Sequence, residues 1–152
     1  MLIEWATHET TRTMEITLYM ATSIDGFIAT KDGDSDWVSD ADVAIFDQHI
    51  QEKGCIILGR NTFEQYISDL YPVKGVTNIV LSTTSPTYTF DNVFVAQNPA
   101  EAVALAKEKG HTEALLIGGG KTNAAFLQAG LIDNVILSIH PLILQDGIRL
   151  FE

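Results

Sequence analysis

Cysteine is nearly absent. The single Cys55 excludes an internal disulfide framework and suits a reducing compartment. Positive charge is scarce: nine Lys and Arg stand against 20 Asp and Glu, a formal net charge of −11. An electrostatic grip on nucleic acid or on an anionic membrane needs the opposite excess, so neither partner is expected. Any anionic ligand must be held by local cations and backbone N–H groups. No apolar run reaches the ~18 residues of a membrane span. The N-terminus carries Glu4 where a signal peptide carries positive charge, so the expected location is the cytoplasm. There is no internal repeat. His8, His49, His111 and His140 show no metal-ligand spacing with Cys55 or with each other, so no metal is expected.

What remains is one domain of ordinary globular composition: 152 residues, 46% hydrophobic and 19% charged. Residues 1–13 read as a loose extension, and residues 14–152 as a single domain. Within it strands alternate with helices. Strands are expected at 15–22, 55–59, 77–82, 92–96, 114–117 and 133–140, with one more started at 148–151. Helices are expected at 39–52, 61–68, 98–110 and from the glycines at 118–120 to Gly130. Ser39 and Gly54 punctuate the first, and Asn98 with Pro99 opens the third. Wholly apolar strands such as CIILG, 55–59, are buried on both faces, so the class is α/β, a mixed, mostly parallel sheet with helices on both sides. Ligands of such sheets bind beyond the carboxyl ends of strands, beside helix N-termini.

Four segments lie at such ends: 23–28, 59–62, 82–84 and 118–122. The strongest is IGGGKT, 117–122, whose bare backbone and Lys121 suit a diphosphate. It is not a Walker loop, because Leu115 stands where the first glycine belongs, nor a Rossmann fingerprint, because Asn123 closes the pattern. The alternative is a tight strand-to-helix turn, and the motif favours the diphosphate. GRNT, 59–62, opens the second helix. Asn61 and Glu64 make a capping pair there, while Arg60 is either a solvated surface residue or a phosphate ligand. LSTT, 81–84, offers hydroxyls that can cap, turn or hold a phosphate. Asp42 has two readings. Ser39-x-x-Asp42 is a capping-box pattern, which the bare sequence favours, yet the residue also lies on the apolar side of its helix with Phe46. The loop 23–38, rich in Gly and Asp, is long enough to fold over a site as a lid. Trp37 at its end packs as core or lines the pocket.

In order, SIDGFIA (23–29), Asp36-Trp37, ILGRNTFE (57–64), NIVLS (78–82) and LIGGGK (116–121) resemble the dihydrofolate reductase superfamily. The DGFIA form and the acidic loop before Trp37 look like the branch of the riboflavin-pathway pyrimidine reductase domain and its small stand-alone relatives. The resemblance covers residues 14–151. It implies NADPH binding and hydride transfer. Carried over by position, Gly59, Arg60, Asn61 and Thr62 hold phosphates. Leu81, Ser82 and Thr83 flank the adenosine and its 2′-phosphate. Gly119, Gly120, Lys121 and Thr122 cradle the diphosphate, and Ala21, Ile28 and Ala29 meet the nicotinamide. Asp42 falls on the family's catalytic carboxylate, with Ser138 as its supporting hydroxyl, and this reverses the bare preference for the cap. Ser23, Asp25, Trp37 and Phe46 are expected to face the substrate.

Three departures qualify this. Asn123 replaces a tyrosine usual in folate reductases. Val76 and Thr77 stand where those enzymes place the arginine for the folate tail and its neighbour. The chain also stops at Glu152, where the resemblance implies about two more strands, so either the sheet edge is incomplete, or a partner completes it, or the sequence is truncated. The expected reaction is therefore reduction of a small heterocyclic C=N or C=O, with the riboflavin-pathway pyrimidine reductase as the family label and a homodimer as the assembly. Lys31 and Lys74, with Arg149 behind them, are the cations left for a substrate phosphate. The alternatives are a dihydrofolate reductase and a nucleotide-binding dimeric module without catalysis, with FMN or FAD a minor choice of cofactor.

Overall fold

The computed structural model describes residues 1–6 and 13–152. Along the chain the elements are β1 (Leu2–Ala6), β2 (Glu15–Ser23), β3 (Phe27–Ala29), α1 (Asp40–Lys53), β4 (Cys55–Gly59), α2 (Arg60–Gln65) and β5 (Thr77–Leu81). They continue with β6 (Val93–Ala96), α3 (Pro99–Glu108), β7 (Glu113–Leu116), α4 (Gly120–Gln128), β8 (Asn134–His140) and β9 (Ile148–Arg149). Among the described residues the strands form a seven-stranded sheet in the order β1-β8-β2-β7-β4-β5-β6 and a two-stranded sheet of β3 and β9. All neighbours in the large sheet are parallel except β1 and β8. This is the α/β class that the alternating pattern predicts.

Side-chain alternation divides each strand between two cores. Ile16, Leu18, Cys55, Ile57, Ala114 and Leu116 pack on the side of α3 and α4, against Ala102, Ala106 and Phe126. Tyr19, Ile56, Leu58, Leu115 and Val80 pack on the side of α1 and α2, against Ile50 and Phe63. Every residue of β4 is buried, as a run with no polar face requires. Phe63 and Phe126 are fully buried, each stabilising the fold by ~1.5–3 kcal/mol of apolar burial. Cys55 belongs to this core, and burial pushes its thiol up to about 12, so it is structural.

Helix ends follow the local chemistry. Ser39 caps α1 through Asp42 N–H, and Gly54 closes it at φ +66°, the left-handed turn glycine adopts without strain. Asn98 caps α3 with Pro99 in its first turn. Four expectations need correction. Residues 2–6 of the expected loose extension are a strand, paired from Leu2↔Ser138 to Ala6↔Asn134, while residues 7–12 lie outside the described residues. In the large sheet β1 lies on the outer side of β8. The loop 23–38 contains β3, whose three residues are all buried, so it is anchored rather than a free lid. The expected last strand forms at 148–149 but pairs with β3 outside the main sheet. The second helix is also shorter than expected, ending at Gln65 before Ser68 turns at φ +72°.

The β2–β8 register, which sets Ala21 against Ser138, is tied at its start by Asp133. This residue is 4% exposed, and its carboxylate accepts Ile16 N–H at 2.8 Å while its own N–H donates to Ile16 O. Asp133→Ala leaves a buried N–H without an acceptor. It is expected to lower stability by about 1–3 kcal/mol, read as a lower urea midpoint at unchanged slope.

Candidate active site

The carboxyl ends of β4 and β7 converge on glycine. Gly59 N–H donates to Gly118 O at 2.7 Å. A Cβ on Gly59 would overlap Thr122 Oγ1, and one on Gly119 would lie 3.3 Å from Thr62 Oγ1. Gly118 holds φ +96°, with Met20 of β2 3.2 Å from the place of its Cβ, and joins Gly119 through a cis peptide bond. Gly59 and Gly119 are the N-caps of α2 and α4, and neither helix has a side-chain cap. The first-turn N–H groups of both helices therefore open into one crevice between adjacent parallel strands, the arrangement that holds a diphosphate. Thr122 is buried beside it, and Lys121 is exposed at its lip.

One strand further along, β5 ends at half-buried Leu81 and buried Ser82. Arg60 Nη1 donates to Thr84 Oγ1 at 2.9 Å, and Ser82 Oγ lies 3.1 Å from the same hydroxyl. The guanidinium and the β5 hydroxyls are thus brought together as the resemblance implied, but through Thr84. Thr83 is exposed. The expected capping pair of Asn61 and Glu64 does not form, because the helix starts at Arg60 with Gly59 as N-cap and Asn61 is already inside its first turn. Glu64 instead lies 3.9 Å from Arg60 Nε and accepts the Tyr88 hydroxyl at 2.9 Å. Burial, followed by the bond to Glu64, pushes that phenol up to about 12.

On the other side, β2 carries Tyr19 toward α1. Tyr19 Oη donates to Asp42 Oδ1 at 2.6 Å in a buried contact, and Asp42 is 5% exposed. Burial and then this bond drive the Tyr19 hydroxyl well above its ordinary range, so it stays protonated and donates. Phe46 and His49 each meet the same ring at 5.3 Å between centroids. Only half of the Ser39-x-x-Asp42 capping box forms within the helix. The Asp42 N–H completes the Ser39 cap at 3.3 Å, but its carboxylate turns away to Tyr19. The hydroxyl that supports Asp42 is Tyr19 rather than Ser138, whose side chain makes no hydrogen bond among the described residues. Tyr19 was missed because its partner is 23 residues away and its place in β2 reads as core.

Ala21 pairs with Ser138, and Ile28 and Ala29 are buried on β3. Ser23 donates to Asp25 Oδ1 at 2.7 Å. Asp25 also accepts Leu144 N–H at 3.1 Å and Gln145 N–H at 2.8 Å, so its oxygens tie the 142–147 loop. The Ser23 hydroxyl bond, with the two backbone N–H groups, holds its carboxyl below the usual range. Trp37 meets His140 edge-on at 5.4 Å. The cations left for a substrate phosphate sort cleanly. Lys31 is paired with Asp146, and Lys74 precedes β5 at the amino ends of the strands, away from the site. Arg149 stands over the Phe27 ring at 5.2 Å, beside β3. Asn123 is fully buried and donates to Leu150 O at 2.9 Å.

The Gly59–Thr122 approach makes a direct test. Gly59→Ala is expected to destabilise by about 1–3 kcal/mol through overpacking. Adding Thr122→Ala, which removes the overlapped hydroxyl, should recover most of that loss in a double-mutant cycle read by urea unfolding.

Known proteins place this geometry. The model of the RibD C-terminal domain matches residues 14–152. Two uncharacterized Bacillus subtilis proteins are similar. YyaP is 31% identical over 150 residues, 90% of this chain and 79% of its own, and YwjB is 28% identical over 141 residues, 89% and 81%. The crystal structure of a protein provisionally assigned to riboflavin biosynthesis, from Shewanella sp. PV-4, has a TM-score of 0.74 at 31% identity over 91% of this chain and 84% of that one. The fold alone is shared with two more distant structures. The Enterococcus faecalis dihydrofolate reductase complexed with NADP(H) has a TM-score of 0.74 at 23% identity over 91% and 77%. The Thermotoga maritima deaminase/5-amino-6-(5-phosphoribosylamino)uracil reductase has 0.71 at 18% over 91% and 48%. With a family match that takes in every element from β2 onward, the chain belongs to the RibD C-terminal domain family.

Proposed function

We propose that this chain is an NADPH-dependent reductase that delivers hydride to a small heterocyclic C=N or C=O, on the pattern of the riboflavin-pathway pyrimidine reductases. The observation that carries the reading is the glycine crevice, where two uncapped helix starts meet between β4 and β7. The residues present fit the cofactor. Thr122 and the bare backbone at 59–60 and 119–121 suit the diphosphate, and Arg60 with Ser82 and Thr84 suits a 2′-phosphate. The site also has the right reach. From β2 to β5 there are three strand spacings, about 14 Å, with Asp42 and Tyr19 at one end and Arg60 at the other.

Bound nicotinamide would supply the hydride. This chain's own residues align and protonate. Half-buried Ala21, together with buried Ile28 and Ala29, offers apolar surface for a flat ring and keeps water from it. The Asp42 carboxyl, fixed by the Tyr19 hydroxyl, is the group that passes a proton to the substrate, directly or through water. Arg149, beside β3, is the cation offered to a sugar phosphate now that Lys31 is paired and Lys74 faces the other end. Val76, buried at the amino end of β5, offers no charge for a folate tail, which favours the pyrimidine over dihydrofolate.

Protection against thermal unfolding, compared across NADPH, NADH, ATP and FMN, tests the cofactor. NADPH should protect most, and equal protection by ATP would favour a non-catalytic nucleotide module. Arg60→Ala removes a charge-assisted contact worth ~1.5–3 kcal/mol. It should weaken NADPH at least about tenfold by calorimetry and leave NADH nearly unchanged. Asp42→Asn should cut kcat about a hundredfold while NADPH affinity holds. The assay is NADPH oxidation with the pyrimidine phosphate, dihydrofolate and a panel of small carbonyls. Unchanged turnover would return Asp42 to its helix cap.

A further inference from the structure

The start of α1 divides its capping labour unusually. In a reciprocal capping box the N-cap hydroxyl takes the N–H three residues on, and the acid there takes the N-cap N–H in return. The first half is present: Ser39 Oγ accepts Asp42 N–H. The second half is done by another residue. Ser39 N–H donates to His140 Nε2 at 3.1 Å, across 101 residues of chain.

His140 is the last residue of β8 and 6% exposed. Its Nδ1 lies 3.2 Å from Ser138 O, and Trp37 meets its ring edge-on at an interplanar angle of 77°. A carbonyl oxygen only accepts, so Nδ1 carries the proton and Nε2 presents its lone pair to Ser39. The ring is therefore fixed as an acceptor aimed at the one backbone N–H that Asp42 would otherwise claim. An anionic carboxylate is the better acceptor and is favoured at a helix N-terminus. Without a competitor for the Ser39 N–H, Asp42 would turn back onto its own helix.

We infer that His140 is a positioning residue: by taking the Ser39 N–H it frees the Asp42 carboxylate to face Tyr19 and the substrate. The functional half of this rests on the reading of Asp42 as proton donor. The structural half stands on the four hydrogen bonds alone.

The test uses the whole protein labelled with carbon-13 at the tyrosine ζ position. Tyr19 is assigned with Tyr19→Phe, and Asp42→Ala gives the Tyr19 signal without its carboxylate. His140→Phe keeps a ring against Trp37 but removes the acceptor. Its Tyr19 signal should move to the Asp42→Ala position. His140→Gln, which returns an acceptor near the place of Nε2, should keep the wild-type signal. In turnover, His140→Phe should lower kcat about tenfold with KM within about twofold, and His140→Gln should recover most of the rate. A Tyr19 signal that stays put in folded His140→Phe overturns the inference. Should that variant fail to fold, the long-range proton–nitrogen spectrum of the wild type decides. An Nδ1–H tautomer with Nε2 as acceptor upholds the inference, and an Nε2–H tautomer overturns it. Absence of turnover with every substrate counts against the reductase reading and leaves the spectroscopic result standing.

Discussion

Two strand-to-helix crossings, β4 into α2 and β7 into α4, meet at a separation that only glycine permits. The 2.7 Å bond from Gly59 N–H to Gly118 O fixes it, and Thr122 stands where a side chain on Gly59 would have to go. This contact makes one crevice out of two helix starts. The sheet order then sets what lies on either side. β5 flanks β4, so Ser82 and Thr84 come to Arg60. β2 flanks β7, so Tyr19 and, through it, Asp42 come to the other. A line of groups with the two helix starts in the middle, a guanidinium at one end and a buried carboxyl at the other follows from the order β2-β7-β4-β5.

The parts of this that were legible in the sequence are those where the backbone forces a residue type. CIILG could only be a strand buried on both faces, Asn98-Pro99 could only open a helix, and IGGGK marked the crevice before any neighbour was known. What stayed hidden depends on partners remote in the chain. Tyr19 reads as core until α1 is laid over β2. His140 reads as a strand end, which it is, until Ser39 is brought beside it. The strand at Leu2–Ala6 carries no turn or cap signal of its own and exists through its pairing with β8. Asn61 and Glu64 have the spacing of a cap, but a helix that starts at the strand's own glycine leaves them inside its first turn. Local patterns marked where the two helix starts meet but proposed the wrong local duties for Asn61 and Glu64.

The placement of the few cations completes the physical case. The chain is strongly acidic, so its long-range field repels an anionic ligand. At physiological ionic strength that field is screened beyond about 8 Å, and local charge decides. Lys53, Lys74, Lys107 and Lys109 all lie just before strands, at the amino ends of the sheet, where Lys53 pairs with Glu113 and Lys109 covers the Phe94 ring. Arg60, Lys121 and Arg149 lie at the carboxyl ends, around the crevice. Arg60 shares its charge with Glu64, and Lys121 is exposed to solvent, so neither alone makes a strong anion site. The backbone N–H groups of the two helix starts do not titrate and are already oriented, so they would hold the proposed diphosphate without reorganising. In the proposed function the side-chain cations would then discriminate: Arg60 for the phosphate that distinguishes one dinucleotide from another, Arg149 for the charge on the substrate. That division would let a protein with so little positive charge take the two anionic ligands proposed for it in one cleft.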